Sequence, residues 1–257
     1  MNLRAWIELS RCSNLPTVWS NVLHGLAAGA YVSAHARFGE HAVGELSRDA
    51  SWYLNQGFML LVSMSLIYIA GMVLNDAFDA KEDAAERPSR PIPSGRVSRR
   101  AAFVVGFMML GAGVAGSAVY RESAVLITVA LLALAVVAYN ATHRRTWLGV
   151  PFIAICRGLL ILAGASAFGL VAGERWWSVV ALPAAAIAVY TALVALLAVR
   201  EADPNARIKP VHIGLILAAM PLLDALFLGL LGHLRLAGVC IGLALLTVVL
   251  QRTVRGS

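Results

Sequence analysis

Charge is scarce in this chain. Asp, Glu, Lys and Arg together make up 14% of 257 residues, while 60% are hydrophobic. A soluble domain of this length needs a much larger charged surface, so that class is excluded. Cysteine is equally sparse. Cys12, Cys156 and Cys240 are odd in number and far apart, and two of them sit in apolar runs. That pattern excludes a disulfide framework and a Cys/His zinc site, and leaves them as small core hydrophobes. No segment is of low complexity, and no stretch is polar enough to form a second, globular domain. The whole of 1–257 reads as one membrane domain.

The apolar sequence falls into runs. A transmembrane helix needs roughly 20 mainly apolar residues. Eight runs qualify: 15–36, 52–74, 98–119, 123–141, 148–171, 176–198, 210–231 and 235–251. The expected fold is therefore all-α, a polytopic transmembrane bundle. Each helix closes its own backbone hydrogen bonds, which lipid cannot do. The first run follows Arg4 and Arg11 and ends in Ala34-His35-Ala36. It is as long as a full span and contains Asn21 and His24, so it reads as a retained helix rather than a cleaved leader.

The net charge of +7 points to topology rather than nucleic acid, because the basic residues lie between the apolar runs. With the N-terminus in the cytoplasm, fifteen Lys and Arg fall inside and five outside, and Arg157 remains within a span. The positive-inside rule thus expects a multi-pass protein of the cell (inner) membrane, with the N-terminus and the loop after the second run cytoplasmic.

That loop carries the chemistry. It reads Asn75-Asp76-Ala77-Phe78-Asp79-Ala80-Lys81-Glu82-Asp83-Ala84-Ala85-Glu86-Arg87-Pro88-Ser89-Arg90-Pro91-Ile92-Pro93-Ser94-Gly95. If the helix continues past Leu74, then Asp76, Asp79 and Asp83 fall at i, i+3 and i+7 on one face. Three carboxylates on one face repel one another unless a cation lies between them, and oxygen donors of this kind suit Mg²⁺. Arg87 and Arg90 follow at once, and an arginine fork matches phosphate oxygens. Pro88 ends the helix, and Ser98 is an N-cap for the third span. Acids for a metal beside arginines for phosphate indicate a diphosphate ligand. The bland alternative is a solvated loop whose charges merely pair. The matched face, the two arginines and the position at the membrane mouth favour the former.

The run Asn-Asp-x-x-Asp-x-x-x-Asp followed by Arg-Pro-x-Arg-Pro-Ile-Pro-Ser-Gly resembles the first Asp-rich motif of the UbiA superfamily of intramembrane prenyltransferases. Asn14-Leu15-Pro16 with Asn21 and Gly25 is similar to the first helix of that family, and Tyr139-Asn140 to its Tyr-Ser pair. The resemblance covers residues from about 11 to 230. It implies a bundle of usually nine helices around a lipid-open cavity, against the eight counted here. It also implies Mg²⁺-dependent transfer of a prenyl group from a prenyl diphosphate donor to an unknown lipophilic acceptor. Carried over, Asn75, Asp76, Asp79 and Asp83 are the Mg²⁺ group, and Arg87 and Arg90 the diphosphate contacts.

The family's second acidic motif is altered here. Its place reads Val199-Arg200-Glu201-Ala202-Asp203-Pro204, where Glu201 and Asp203 are two apart and point to different faces. Arg200 and Glu201 replace the missing acids, or a single metal cluster serves, or the chain binds a prenyl lipid without turnover as an export or scaffold subunit. A CDP-alcohol phosphotransferase lacks its Asp-Gly and Ala-Arg pairs here.

Further polar residues lie within the spans. Arg157 is either a diphosphate or acceptor contact or a paired, snorkelling arginine. Asp224 pairs with it or orients the acceptor. Asn21 and His24 share a face and read first as helix–helix hydrogen bonds. Tyr139 is either a cation-stabilising ring or an interfacial anchor. Gly25, Gly29, Gly111 and Gly113 read as close helix packing.

Overall fold

The computed structural model describes residues 2–39, 50–142, 147–169, 173–201 and 209–253. Among them all regular structure is helical. Two turns of helix, α1 (Leu3–Ser10), precede a 3₁₀ turn and α2 (Leu15–Phe38). Then follow α3 (Ala50–Glu86), α4 (Arg99–Ser117), α5 (Ser123–Thr142) and α6 (Gly149–Ser166). A short α7 (Glu174–Trp176) runs through a π-turn, Trp177–Ala181, into α8 (Leu182–Glu201). The chain ends with α9 (Pro210–Ala218), α10 (Met220–Leu230) and α11 (Leu234–Thr253). The two irregularities have proline causes. Pro183 and Pro221 each lack an N–H and crowd the carbonyl four residues back. The first is met by the π-turn before it, and the second by the break at Ala219 between α9 and α10.

Seven segments are long and apolar enough to cross a membrane: 55–86, 99–120, 123–142, 149–166, 174–200, 211–230 and 234–252. They correspond to the last seven runs read from the sequence. The first run, α2, is a 24-residue helix of sufficient length but is not one of them. Its Ser20, Asn21, His24, Ser33 and His35 dilute its hydropathy. All five are buried. They face protein, because α2 is packed against α3, α6, α10 and α11. Meanwhile Leu126, Ile127, Leu131 and Leu134 of α5 are exposed, as a lipid-facing surface requires.

Close approach of α2 to α6 depends on glycine. A Cβ added at Gly25 would lie 2.1 Å from the carbonyl oxygen of Ile161, and one at Gly29 2.3 Å from that of Ala165. Only hydrogen fits there, so the backbones touch as small-residue membrane helices do. Gly113 is likewise closed by Ile67 and the Ser63 carbonyl, whereas Gly111 faces open space and packs nothing.

α3 positions the site. At about 1.5 Å per residue its 37 residues span roughly 55 Å, against a hydrocarbon core of about 30 Å. The helix therefore continues past Leu74 as one rod and carries the Asp motif on its final turns. After Glu86, the Pro88–Pro93 segment turns back. Gly95, at φ 74°, closes the turn by donating its N–H to the Ile92 carbonyl. Ser98 then caps α4, its hydroxyl accepting from the Ala101 N–H at 3.2 Å. Ile92 and Val97 are buried with Ala5 and Leu9 of α1, Val73 and Ala77 of α3, and Ala102 of α4. This small second core pins the loop, and the Glu8–Arg96 ion pair, with contacts of 2.7 and 3.2 Å, ties α1 to it.

Candidate diphosphate and metal site at the cavity mouth

The acids of α3 are placed as helical spacing dictates, but their company differs from expectation. A cation was expected between the three carboxylates. Instead, guanidinium groups lie against two of them. Asp76 Oδ1 accepts from Arg11 Nη2 at 2.8 Å and lies 3.7 Å from Arg90 Nη1. Asp83 Oδ2 accepts from the same Arg90 nitrogen at 2.7 Å. Asp76, Asp83 and Arg90 are all buried. Asp79, half-buried, accepts from Asn75 Nδ2 at 3.1 Å, one turn before it. Among the described residues no three His, Cys, Asp or Glu side chains are grouped to hold a metal ion.

The side chains nonetheless fit both groups that the sequence implies. Asn75, Asp76, Asp79 and Asp83 supply only oxygen and amide donors, the set a hard divalent cation takes. Arg90 Nε is buried with no partner among the described residues, a donor that a phosphate oxygen would satisfy. Arg87 is exposed next to it.

A cavity of about 240 Å³ opens below this cluster, with Asn75, Arg11 and Asn14 in its wall. Deeper, its wall is mainly apolar, with Met64, Ile67, Val136 and Leu160. Of the expected site residues, Tyr139 and Arg157 also line it. Arg200 does not. It is exposed at the end of α8 and takes no part in the cavity wall. The side chain of Glu201, and Asp203 with residues 202–208, lie outside the described residues, as do Arg144, Arg145, Arg207 and Arg255.

Arg11, Asn14 and Tyr68 are among the lining residues that were not chosen as site residues from the sequence. Arg11 is the most consequential. It ends α1 at φ 43°, a left-handed backbone uncommon for a residue with a Cβ. That bend turns its guanidinium towards Asp76, 65 residues on, and its carbonyl accepts from the Tyr68 hydroxyl at 3.2 Å. Asn14 accepts from Gln251 Nε2 of α11 at 2.8 Å, which brings the end of the last helix to the mouth. Asn14-Leu15-Pro16 had been visible as a motif. Arg11 and Tyr68 had no sequence signal, because their roles depend on a turn and on distant partners.

Within the bundle, the polar residues of the spans are joined. Arg157 Nη1 donates to Asn21 Oδ1 at 3.3 Å, and Asn21 Nδ2 donates to Asp224 Oδ2 at 2.8 Å. His24 Nδ1 lies 2.8 Å from Asp224 Oδ1. Asn21, His24 and Asp224 are fully buried. Arg157 and Asp224 are thus linked through Asn21 rather than paired directly.

Known proteins resemble this chain. The family model described as the UbiA prenyltransferase family matches residues 46–256. A protein named digeranylgeranylglyceryl phosphate synthase from Methanosarcina mazei is 36% identical over 123 residues, 47% of this chain and 42% of that one. Its namesake from Methanopyrus kandleri is 34% identical over 140 residues, 52% of this chain and 47% of that one. The chain thus matches somewhat under half the length of these curated relatives. Among solved structures, one reported under "Structural and mechanistic insights into the biosynthesis of Digeranylgeranylglyceryl phosphate synthase in membranes" superposes with a TM-score of 0.55 at 14% identity. The match covers 98% of this chain and 95% of that one, a likeness of fold. With a family match over most of its length, a multi-pass helical bundle and the Asp-rich motif at the mouth of an apolar cavity, this chain belongs to the UbiA prenyltransferase family.

Proposed function

We propose that this chain, acting as one membrane domain over 1–257, is a Mg²⁺-dependent prenyltransferase. It moves a prenyl group from an allylic prenyl diphosphate to a lipophilic acceptor. The observation that carries the reading is Asn75. It is bonded to Asp79 of the acid cluster and also lines the apolar cavity, so charged and apolar halves of a prenyl diphosphate have adjoining places.

Asn75, Asp76, Asp79 and Asp83 would hold the metal, which when bound offsets negative charge on the departing diphosphate. Arg87 and Arg90 bind the phosphate oxygens, and the buried Arg90 Nε gains its missing acceptor. Arg11 and Arg90 hold the carboxylates of Asp76 and Asp83 in place. The carbon–oxygen bond of the allylic diphosphate breaks with its electron pair leaving on oxygen. The acceptor's lone pair or π-electrons form the new bond to that carbon, and the acceptor then gives up a proton. Met64, Ile67, Val136 and Leu160 keep water from the allylic cation. The Tyr139 ring in the same wall offers its face to positive charge. Arg200 and Glu201 are retained as candidate contacts to the far side of the diphosphate, in place of the altered second motif.

The charge asymmetry supports a mouth on the cytoplasmic side of a cell (inner) membrane, with the N-terminus on that side. The test is release of inorganic diphosphate from geranylgeranyl diphosphate by membranes containing the chain. Asp79→Asn is expected to lower Mg²⁺-dependent release by roughly 100-fold or more. Release unchanged by that substitution contradicts the assignment and favours a relative that binds prenyl lipid without turning it over.

A further inference from the structure

The start of α4 presents two arginines to the outside of the bundle. Arg99 and Arg100 are both exposed, and among the described residues neither is paired with a carboxylate. Arg99 is nevertheless held. Its Nε donates to the Ala77 carbonyl of α3 at 2.8 Å, and its guanidinium carbon lies 5.5 Å from the centre of the Phe103 ring. These contacts use one of the five N–H donors of a guanidinium. The other four, on the two terminal nitrogens, are left for a further acceptor, and the planar fork is already oriented for it. Asp76, next to Ala77, does not supply that acceptor, because Arg11 and Arg90 engage it.

Aromatic side chains continue from this guanidinium along the outer face of the bundle. Phe78 of α3 meets the Phe103 ring edge-on at 5.1 Å, and Phe107 stacks on Phe103 at 6.3 Å. Phe103 and Phe107 lie one and two turns beyond Arg99, about 6 and 12 Å along α4. Phe107, Val104 and Met108 are exposed, so this face of α4 is one that lipid covers. Ala77 belongs to the Asp-rich end of α3, so Arg99 is level with the cavity mouth, where hydrocarbon gives way to headgroups. Unpaired cations at that level, with apolar rings directly below them, complement a lipid that carries a net negative headgroup.

We propose that the α3–α4 face binds one anionic phospholipid of the surrounding leaflet, with its phosphate on Arg99 and Arg100 and an acyl chain along Phe103 and Phe107. A zwitterionic lipid carries its own cation beside the phosphate and gains less from the two arginines. The site is separate from the cavity, whose wall contains none of these four residues. It lies instead over the small second core. Ala102 belongs to that core with Ile92 and Val97, and Phe103 packs against it. A lipid seated there braces the core that pins the diphosphate loop, and its binding is independent of any turnover in the cavity.

The experiment uses the full chain in a non-ionic detergent, without prenyl donor and without Mg²⁺. Equal amounts of dioleoylphosphatidylglycerol and dioleoylphosphatidylcholine are added, and native mass spectrometry reads the lipid that stays bound. The wild-type chain is expected to retain the phosphatidylglycerol about fivefold over the phosphatidylcholine. Arg99→Gln combined with Arg100→Gln is expected to bring that ratio to within about twofold at an unchanged melting temperature. Arg100→Gln alone removes no contact of the folded chain and is expected to lose part of the preference, which keeps the test valid should the double variant melt early. Arg121→Gln, exposed beyond the far end of α4, is expected to leave the ratio unchanged. Inorganic phosphate in excess is expected not to displace the lipid, since it has no chain to lay on the rings. Equal retention of the two lipids by the wild-type chain overturns the proposal, as does a preference that survives the double substitution. A preference lost equally in Arg121→Gln overturns it in favour of unspecific charge, and one lost in Arg87→Gln instead sends the lipid to the cavity mouth. Displacement by phosphate alone reduces the site to one for a simple anion and overturns the lipid assignment.

Discussion

Arg90 bridges two carboxylates that helical spacing alone would leave in mutual repulsion. It sits 2.7 Å from Asp83 and 3.7 Å from Asp76, and all three are buried. Removing it leaves Asp83 without its guanidinium partner in a place water hardly reaches. Arg90→Met is therefore expected to cost about 3 kcal/mol, the usual size for breaking one side of a buried pair. Unfolding by added denaturing detergent checks this, and an unchanged midpoint would contradict it. The acids themselves were legible, because i, i+3, i+7 is a property of the local sequence. Their partners were not. Arg87, the nearer arginine in sequence, is exposed, while Arg11, in a different helix, makes the 2.8 Å contact. The reason is the left-handed turn at Arg11, a backbone state that sequence rarely announces in a non-glycine residue.

At the scale of elements, close helix packing was anticipated from glycines, yet only some of them make it. Gly25 meets the Ile161 carbonyl directly, whereas Gly111 meets nothing. Gly25→Ala is expected to destabilise by about 1–3 kcal/mol, since the helices must separate. Gly111→Ala should instead be neutral or stabilising by up to about 1 kcal/mol, from helix propensity alone. The same unfolding titration distinguishes the two, and equal effects would contradict the packing assigned to α2 and α6. A pH effect belongs to the α10–α11 connection. His233 is buried there, its ring edge-on to Tyr53 at 5.7 Å, and burial lowers its pKa from the ordinary 6.5. The unfolded chain takes up the proton near pH 6.5 and the folded chain only below that. The folded state should thus be at full stability above about pH 6.5 and lose stability as pH falls below it. His233→Asn should flatten that part of the profile. A profile that stays as steep in the variant would remove His233 as its cause.

For the molecule as a whole, seven of the eight expected spans are apolar enough to cross a membrane unaided, and the eighth, α2, is the most instructive. Its polar residues could be read as weak evidence against a span. In the folded chain they are its interior: Asn21 and His24 converge on Asp224, some two hundred residues later. Sequence periodicity reports that a helix forms, but not whether lipid or protein covers it. The same limit explains Arg157 and Asp224, for which a direct pair was one of the readings and which are joined through Asn21. Arg200, one candidate substitute for the missing acids, is exposed at the end of α8. Orientation adds a prediction at this scale. A cysteine introduced at Arg87 should react with a membrane-impermeant maleimide only from the cytoplasmic side in sealed vesicles. Reaction from the other side would reverse the topology.

The central claim is that the end of α3 binds a prenyl diphosphate through a divalent cation. It is tested most directly by titrating a non-hydrolysable geranylgeranyl diphosphate analogue into the purified chain, with and without Mg²⁺, in the wild type and in Asp79→Asn. Binding that requires both Mg²⁺ and Asp79 is the predicted result. Binding that is indifferent to both, or absent throughout, would contradict the account.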